Sequence, residues 1–189
     1  MFLSENSGKE ALLLIDIQND YFEYGTMELI GPEIAADNAK VILDKFRSKM
    51  LPVIHIQHVA TKSTATFFLP GTKGAEIHDK VKPLPTEKII IKHYPNGFLK
   101  TELLDYLKKN NIDHLVICGM MTHMCVDATT RAAKDVGFNC ILIEDGCATK
   151  DLVIHNETVK SKDVQNSFLA ALSSTYATLM TVSEYMNQK

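Results

Sequence analysis

The chain has 189 residues, 46% hydrophobic and 23% charged, with a formal net charge of −3, a composition that suits one globular domain spanning residues 1–189. The slight acidity and the lack of a basic run argue against nucleic acid as a partner, and no stretch approaches the roughly 18 apolar residues of a membrane span. The opening MFLSENSGKE carries no apolar h-region, and Cys118, Cys125, Cys140 and Cys147 form no CxxC pair; the expectation is four free thiols in a reducing cytoplasm.

The first element is ALLLIDIQNDYF. Residues 11–15 are a continuous apolar run, as in a strand buried on both faces, and Asp16 follows where that strand should end. Asp is commonly a turn-forming cap; here Ile17 prolongs the run, which favours a functional carboxylate. Phe22 and Tyr24 follow in a loop, either walling a pocket or covering the core. Residues 33–50 have helical periodicity, with Ile34, Val41, Ile42, Leu43 and Phe46 as the apolar face. Pro52 leads into a second strand, VIHIQHV. His55 and His58 are three apart, which puts them on opposite faces of a strand. Without an HxH or DxH pair, a core and a rim histidine fit better than metal ligands.

Residues 60–86 show no periodicity, and a loop of that length is usually functional or mobile. Its Phe67 and Phe68 fold over a pocket on one reading and pack on the same or a neighbouring subunit on the other. Residues 89–91 form a third strand that Lys92 ends, either snorkelling to solvent or supplying a fixed positive charge. Pro95, Asn96 and Gly97 make a turn, and residues 101–109 a short helix with Leu103, Leu104 and Leu107 inward. HLVICG is a fourth buried strand.

From Thr122 the pattern turns helical: Val126, Ala128, Thr129, Ala132, Ala133 and Val136 recur, and Gly137 marks the stop. Cys125 therefore lies on a strand-to-helix turn. A helix N-terminus offers unpaired N–H groups and a positive dipole end, which favour a thiolate and can hold an oxyanion. A buried core cysteine is the competing reading. Residues 138–143 form a fifth strand, residues 161–176 a helix with Val164, Phe168, Leu169 and Leu172 inward, and ATLMTVSEY holds the last strand. This alternation predicts an α/β fold, a three-layer α/β/α, Rossmann-like arrangement of about six mostly parallel strands in the order 3-2-1-4-5-6. Ligands of such sheets sit beyond the carboxyl ends of the strands, where Asp16, Lys92 and Cys125 all fall.

Three motifs, LLLIDIQNDYF with Asp16, KHYPNGF with Lys92 and GMMTHMCVDATTRAA with Cys125, together resemble the isochorismatase-like cysteine hydrolase superfamily, which includes nicotinamidases, N-carbamoylsarcosine amidohydrolases and isochorismatases. They occur in that family's order over nearly the whole chain. The resemblance implies a catalytic set of Asp16, Lys92 and Cys125, a cis peptide at Met120–Met121, and an oxyanion hole from the backbone N–H groups of Met121 and Cys125. Phe22, Asn96, Phe98, His123 and Met124 are the candidate substrate contacts. The implied reaction is covalent hydrolysis of a C–N bond of a small amide, imide, ureide or lactam.

Metal-dependent nicotinamidases carry a DxH pair where this sequence has IQHVA, with His58 and Ala60 at the ligand positions, so the expectation is a site with no metal and no cofactor. Cys125 favours C–N cleavage over enol-ether cleavage, which needs no thiol. An enol-ether hydrolase using Asp16 and Lys92, and a non-catalytic thiol sensor or binding protein, are the alternatives. Expected partners are a small-molecule substrate and further copies of the chain, as a homodimer or homotetramer, with no nucleic acid and no membrane.

Overall fold

The computed structural model describes residues 8–188; most of the opening stretch expected to carry no leader lies outside them. In chain order the elements are β1 (Lys9–Ile15), α1 (Pro32–Ser48), β2 (Val53–His58), β3 (Lys88–Lys92), α2 (Leu103–Lys109), β4 (Ile112–Met120), α3 (Asp127–Asp135) and β5 (Asn139–Ala148). A hairpin of β6 (Leu152–Ile154) and β7 (Glu157–Val159) follows, then α4 (Ser161–Ser173), β8 (Thr178–Met180) and α5 (Val182–Met186). The main sheet has six parallel strands in the order β3-β2-β1-β4-β5-β8. This is the expected doubly wound order, with β8 as the sixth strand because the β6–β7 hairpin intervenes.

The alternation of β1 divides the core. Leu12 and Leu14 face Ile42, Leu43 and Phe46 of α1, whereas Ala11, Leu13 and Ile15 face Leu103, Leu107, Leu169 and Leu172 of α2 and α4. Each fully buried aliphatic side chain contributes about 1.5–3 kcal/mol, so β1, buried on both faces, anchors both outer layers.

Three expectations need correction. In α1 the apolar face is Ala35, Ala36, Ala39, Ile42, Leu43 and Phe46, while Ile34 and Val41 are exposed; small alanines let the helix lie close to the sheet and hold the face that larger residues seemed to mark. In α3, Val136 is exposed and Thr129, Thr130 and Ala133 are buried. Strand β5 runs on past Ile143 to Ala148, because Cys147 and Ala148 pair with Gly119 and Met120 after a register shift. The last strand lies within ATLMTVSEY as expected, and beyond Met180 the residues Thr181 and Glu184 form a capping box that starts α5, satisfying orphan N–H groups at that terminus.

Candidate active site

The carboxyl ends of β1, β2, β3 and β4 converge. Asp16 follows β1 directly and takes a left-handed conformation, φ 51°, which Asp tolerates better than most residues. Its N–H is held by the Ile56 carbonyl at 3.0 Å. Alongside, Ile15 pairs with Gly119, where a Cβ would overlap the Ile15 carbonyl and the backbone has φ 149°. Only glycine fits that approach. It brings the end of β4, with the cis peptide Met120–Met121, next to Asp16. A π-helical turn, Thr122–Val126, then carries Cys125 into α3.

Lys92 ends β3 two strands away from β1, yet it is fully buried and its Nζ lies 2.7 Å from Asp16 Oδ2. The same ammonium donates to Cys125 Sγ at 3.2 Å and to His58 Nδ1 at 3.0 Å. An ammonium has three protons and no lone pair, so these are three acceptors around one cation. The Asp16 contact is ionic but poorly aligned as a hydrogen bond, and neither carboxylate oxygen has a well-directed donor among the described residues. The carboxylate is thus buried, charge-compensated and free to receive a proton.

Burial works against the charge on Lys92, but Asp16 and Cys125 outweigh it and hold its pKa above the ordinary lysine value. Burial and the Asp16 carboxylate push the Cys125 thiol well above the usual thiol range, with Lys92 pulling the other way. Burial and the Asp16 carboxylate thus outweigh the nearby cation, which leaves Cys125 a thiol. Burial and the Lys92 charge lower His58 to about 4. That agrees with a neutral ring whose Nδ1 accepts from Lys92.

Asp16, His58 and Cys125 each offer a ligand atom within 4.8 Å of one another, the spacing of a metal site. They do not fit one. Their donor atoms already converge on the Lys92 ammonium, and a divalent ion held by the same three would face that cation at close range.

The Isochorismatase domain model matches residues 10–183. The chain belongs to the isochorismatase family. It is 47% identical over 176 residues to the uncharacterized isochorismatase family protein YddQ of Bacillus subtilis, covering 93% of this chain and 98% of that protein. It is 29% identical to a streptothricin hydrolase of Streptomyces noursei, over 87% of this chain and 56% of that protein. The crystal structure of an assigned isochorismatase hydrolase from Oleispira antarctica superposes with a TM-score of 0.92 at 43% identity, covering 100% of both chains. These likenesses support a hydrolase.

Around this isochorismatase-family centre the long loop, residues 60–86, is stapled to the NDYF segment. Asp20 Oδ2 accepts from Phe68 N at 2.6 Å and Oδ1 from Thr26 Oγ1 at 2.9 Å. A cavity of about 370 Å³ opens beside the cluster, lined by His58, Phe67, Thr61, His93, Tyr94 and neighbouring residues. Phe67 thus walls a pocket, while Phe68 is buried against Tyr21.

The structure brings Asp16, Lys92 and Cys125 together and gives four of the five candidate contacts other partners. Phe22 is buried and stacks on His78 at 3.7 Å, Asn96 Oδ1 accepts from Phe98 N, and Phe98 packs on Phe138. His123 Nδ1 lies 2.5 Å from Thr149 Oγ1, and Met124 is 42% exposed. His58 is the site residue that the sequence reading placed on the rim. Its signal was positional: it ends β2, the strand between Asp16 and Lys92.

Proposed function

We propose that the chain is a cysteine hydrolase that cleaves the C–N bond of a small amide, imide, ureide or lactam through a thioester on Cys125, without a metal. The observation that carries this reading is the single ammonium shared by a buried carboxylate and a buried thiol. As Cys125 Sγ attacks the carbonyl carbon, Asp16 takes the thiol proton. The oxyanion is received by the backbone N–H groups of Met121 and Cys125; removing one such donor elsewhere costs about 3–4 kcal/mol in barrier. The C–N bond breaks and the proton passes from Asp16 to the departing nitrogen. Water, deprotonated by Asp16, then cleaves the thioester to give the acid and the free thiol. Lys92 keeps the Asp16 charge compensated and holds the geometry.

The raised thiol favours this order of events, since the proton has to leave as the S–C bond forms. It also supports a second reading, in which Asp16 and Lys92 act on an enol ether and the thiol is a bystander. The deciding experiment is a hydrolysis screen over nicotinamide, N-carbamoyl amino acids, cyclic imides, lactams and isochorismate, comparing wild type with Cys125→Ala, with and without chelator. C–N turnover lost in the variant and indifferent to chelator is expected. Turnover of isochorismate that survives Cys125→Ala would sink the covalent reading.

A further inference from the structure

We propose that His58 is the positioning residue for Lys92: fixed as the Nε2–H tautomer, it accepts one ammonium proton at Nδ1 and so aims Nζ between Asp16 and Cys125. The inference rests on the reading of Asp16, Lys92 and Cys125 given above.

Three observations carry it. First, the acceptors around Nζ are unequal. The Asp16 contact is close but poorly aligned, and a thiol sulfur is a weak acceptor, so His58 Nδ1 at 3.0 Å is the strong, well-directed one. Second, β2 lies between β1 and β3, and His58 is in register with Lys92. The flexible four-carbon stem of Lys92 has to cross that strand end to reach Asp16, and His58 meets it on the way.

Third, His58 is itself held from behind. Gln18 is fully buried; its Oε1 accepts from His58 N at 2.7 Å, and its Nε2 donates to the carbonyls of His58 at 2.9 Å and Ala75 at 2.7 Å. A buried amide with three well-made hydrogen bonds is a rigid support. The ring packs at 5.8 Å from Phe68. The charged or titratable groups facing it are Asp16 just after β1, Lys92 and His93 at the end of β3, and Cys125 on the turn before α3. Because Lys92 can only donate, Nδ1 has to be the acceptor, which leaves the proton on Nε2. That nitrogen has no partner among the described residues, and His58 lines the adjacent cavity.

The test pairs two variants with one spectrum. His58→Asn keeps an acceptor near the Nδ1 position, whereas His58→Phe keeps a ring without one. The probe is p-nitrophenyl acetate: Cys125 Sγ bonds to the acetyl carbon, the ester C–O bond breaks, p-nitrophenolate leaves and the thiol proton goes to Asp16. The burst rate of His58→Phe should fall about tenfold or more, on the scale of other lost supporting contacts, with His58→Asn within about threefold of wild type. A purely structural role would slow both variants together or neither.

Long-range ¹H–¹⁵N correlation spectra of the wild-type protein, with His58→Asn used for assignment, should show His58 neutral and protonated at Nε2 at neutral pH. An Nδ1–H ring, or a His58→Phe burst at the wild-type rate, would overturn the inference. Where His58→Phe does not fold, the wild-type spectrum decides. A wild-type burst that persists in Cys125→Ala would instead remove the catalytic reading, and the tautomer would still be decided separately.

Discussion

Lys92→Met removes the cation from the centre of the cluster. Asp16 and Lys92 are both 0% exposed, and their contact is 2.7 Å. After the substitution the Asp16 carboxylate has no counter-ion and no well-directed donor among the described residues. Breaking a buried ion pair from one side costs about 3–5 kcal/mol, because the remaining charge stays desolvated. For a chain of this size each kcal/mol moves the midpoint by about 2–4 °C, so a fall of about 6–20 °C is expected. The double variant Asp16→Asn/Lys92→Met leaves no buried charge and should recover most of the loss.

The assay is urea unfolding of the four proteins at neutral pH, followed by circular dichroism. A folded-state lysine pKa above the ordinary value means that the lysine's contribution is fully present below that value and is lost only as the pH rises through the raised one. Neutral pH is therefore the right window. Unfolding of Lys92→Met within about 0.5 kcal/mol of wild type, or additive effects of the two single changes, would refute the reasoning.

Other perturbations probe the frame around the cluster. Glu87→Gln should cost about 1.5–3 kcal/mol, since Glu87 holds Arg47 at 2.7 and 2.8 Å and His55 Nε2 at 3.0 Å; an unchanged urea midpoint would count against it. Hydrogen bonds from Arg47, Leu84 and His55 overcome the cost of burial and hold the Glu87 carboxyl at about 2, so its contribution is present above the ordinary Glu value and lost as the pH falls towards about 2. Gly119→Ala should give little soluble protein, because a Cβ overlaps the Ile15 backbone at φ 149°; a stable variant would show that β1 and β4 can part. Asp20→Ala frees Phe68 N and Thr26 Oγ1 and should speed proteolysis within residues 60–86; unchanged cleavage would deny the staple.

The sheet order was readable because each parallel strand is a short apolar run with its own stop; Asp16 and Lys92 sit at such stops and Cys125 just after one, and the three motifs that carry them singled them out together. What escaped reading has physical reasons. The face of α1 is built from alanines, which carry little hydrophobic signal even where they are fully buried. The continuation of β5 runs through Glu144 and Asp145, whose polarity hides a strand that is still paired. The start of α5 was legible in principle, since TVSE has capping-box spacing, but the apolar run before it drew the reading to a strand alone. The resemblance already put His58 at the position of a nicotinamidase metal ligand, but its contact with Lys92 could be found only from the sheet order. Three residues from His55, it looks like a strand alternation, and its role comes from the neighbour that β3 supplies across the sheet.

The raised thiol makes a further prediction with a definite sign. All four cysteines are buried and free. Burial lifts Cys140 to about 11 and Cys147 to about 12. Cys125 is lifted too, although a lysine lies 3.2 Å away, because burial and Asp16 outweigh that cation. A thiol that ionises less readily when folded makes the unfolded state lose its proton first. Stability is then unaffected below the unfolded value of about 8.5 and declines as the pH rises above it. Cys125→Ala removes one such thiol, so its stability relative to wild type should improve between about pH 8 and pH 10 by about 2 kcal/mol, the cost of 1.5 units of unmatched ionisation. Unfolding free energies of the two proteins at both pH values measure this directly. A difference that stays constant would mean that the folded thiol ionises normally. Lys92 and the turn at Thr122–Val126 would then balance desolvation, leaving a thiol that is mostly protonated at neutral pH; only a wild type that gains stability over Cys125→Ala across this range would place a thiolate in the resting site.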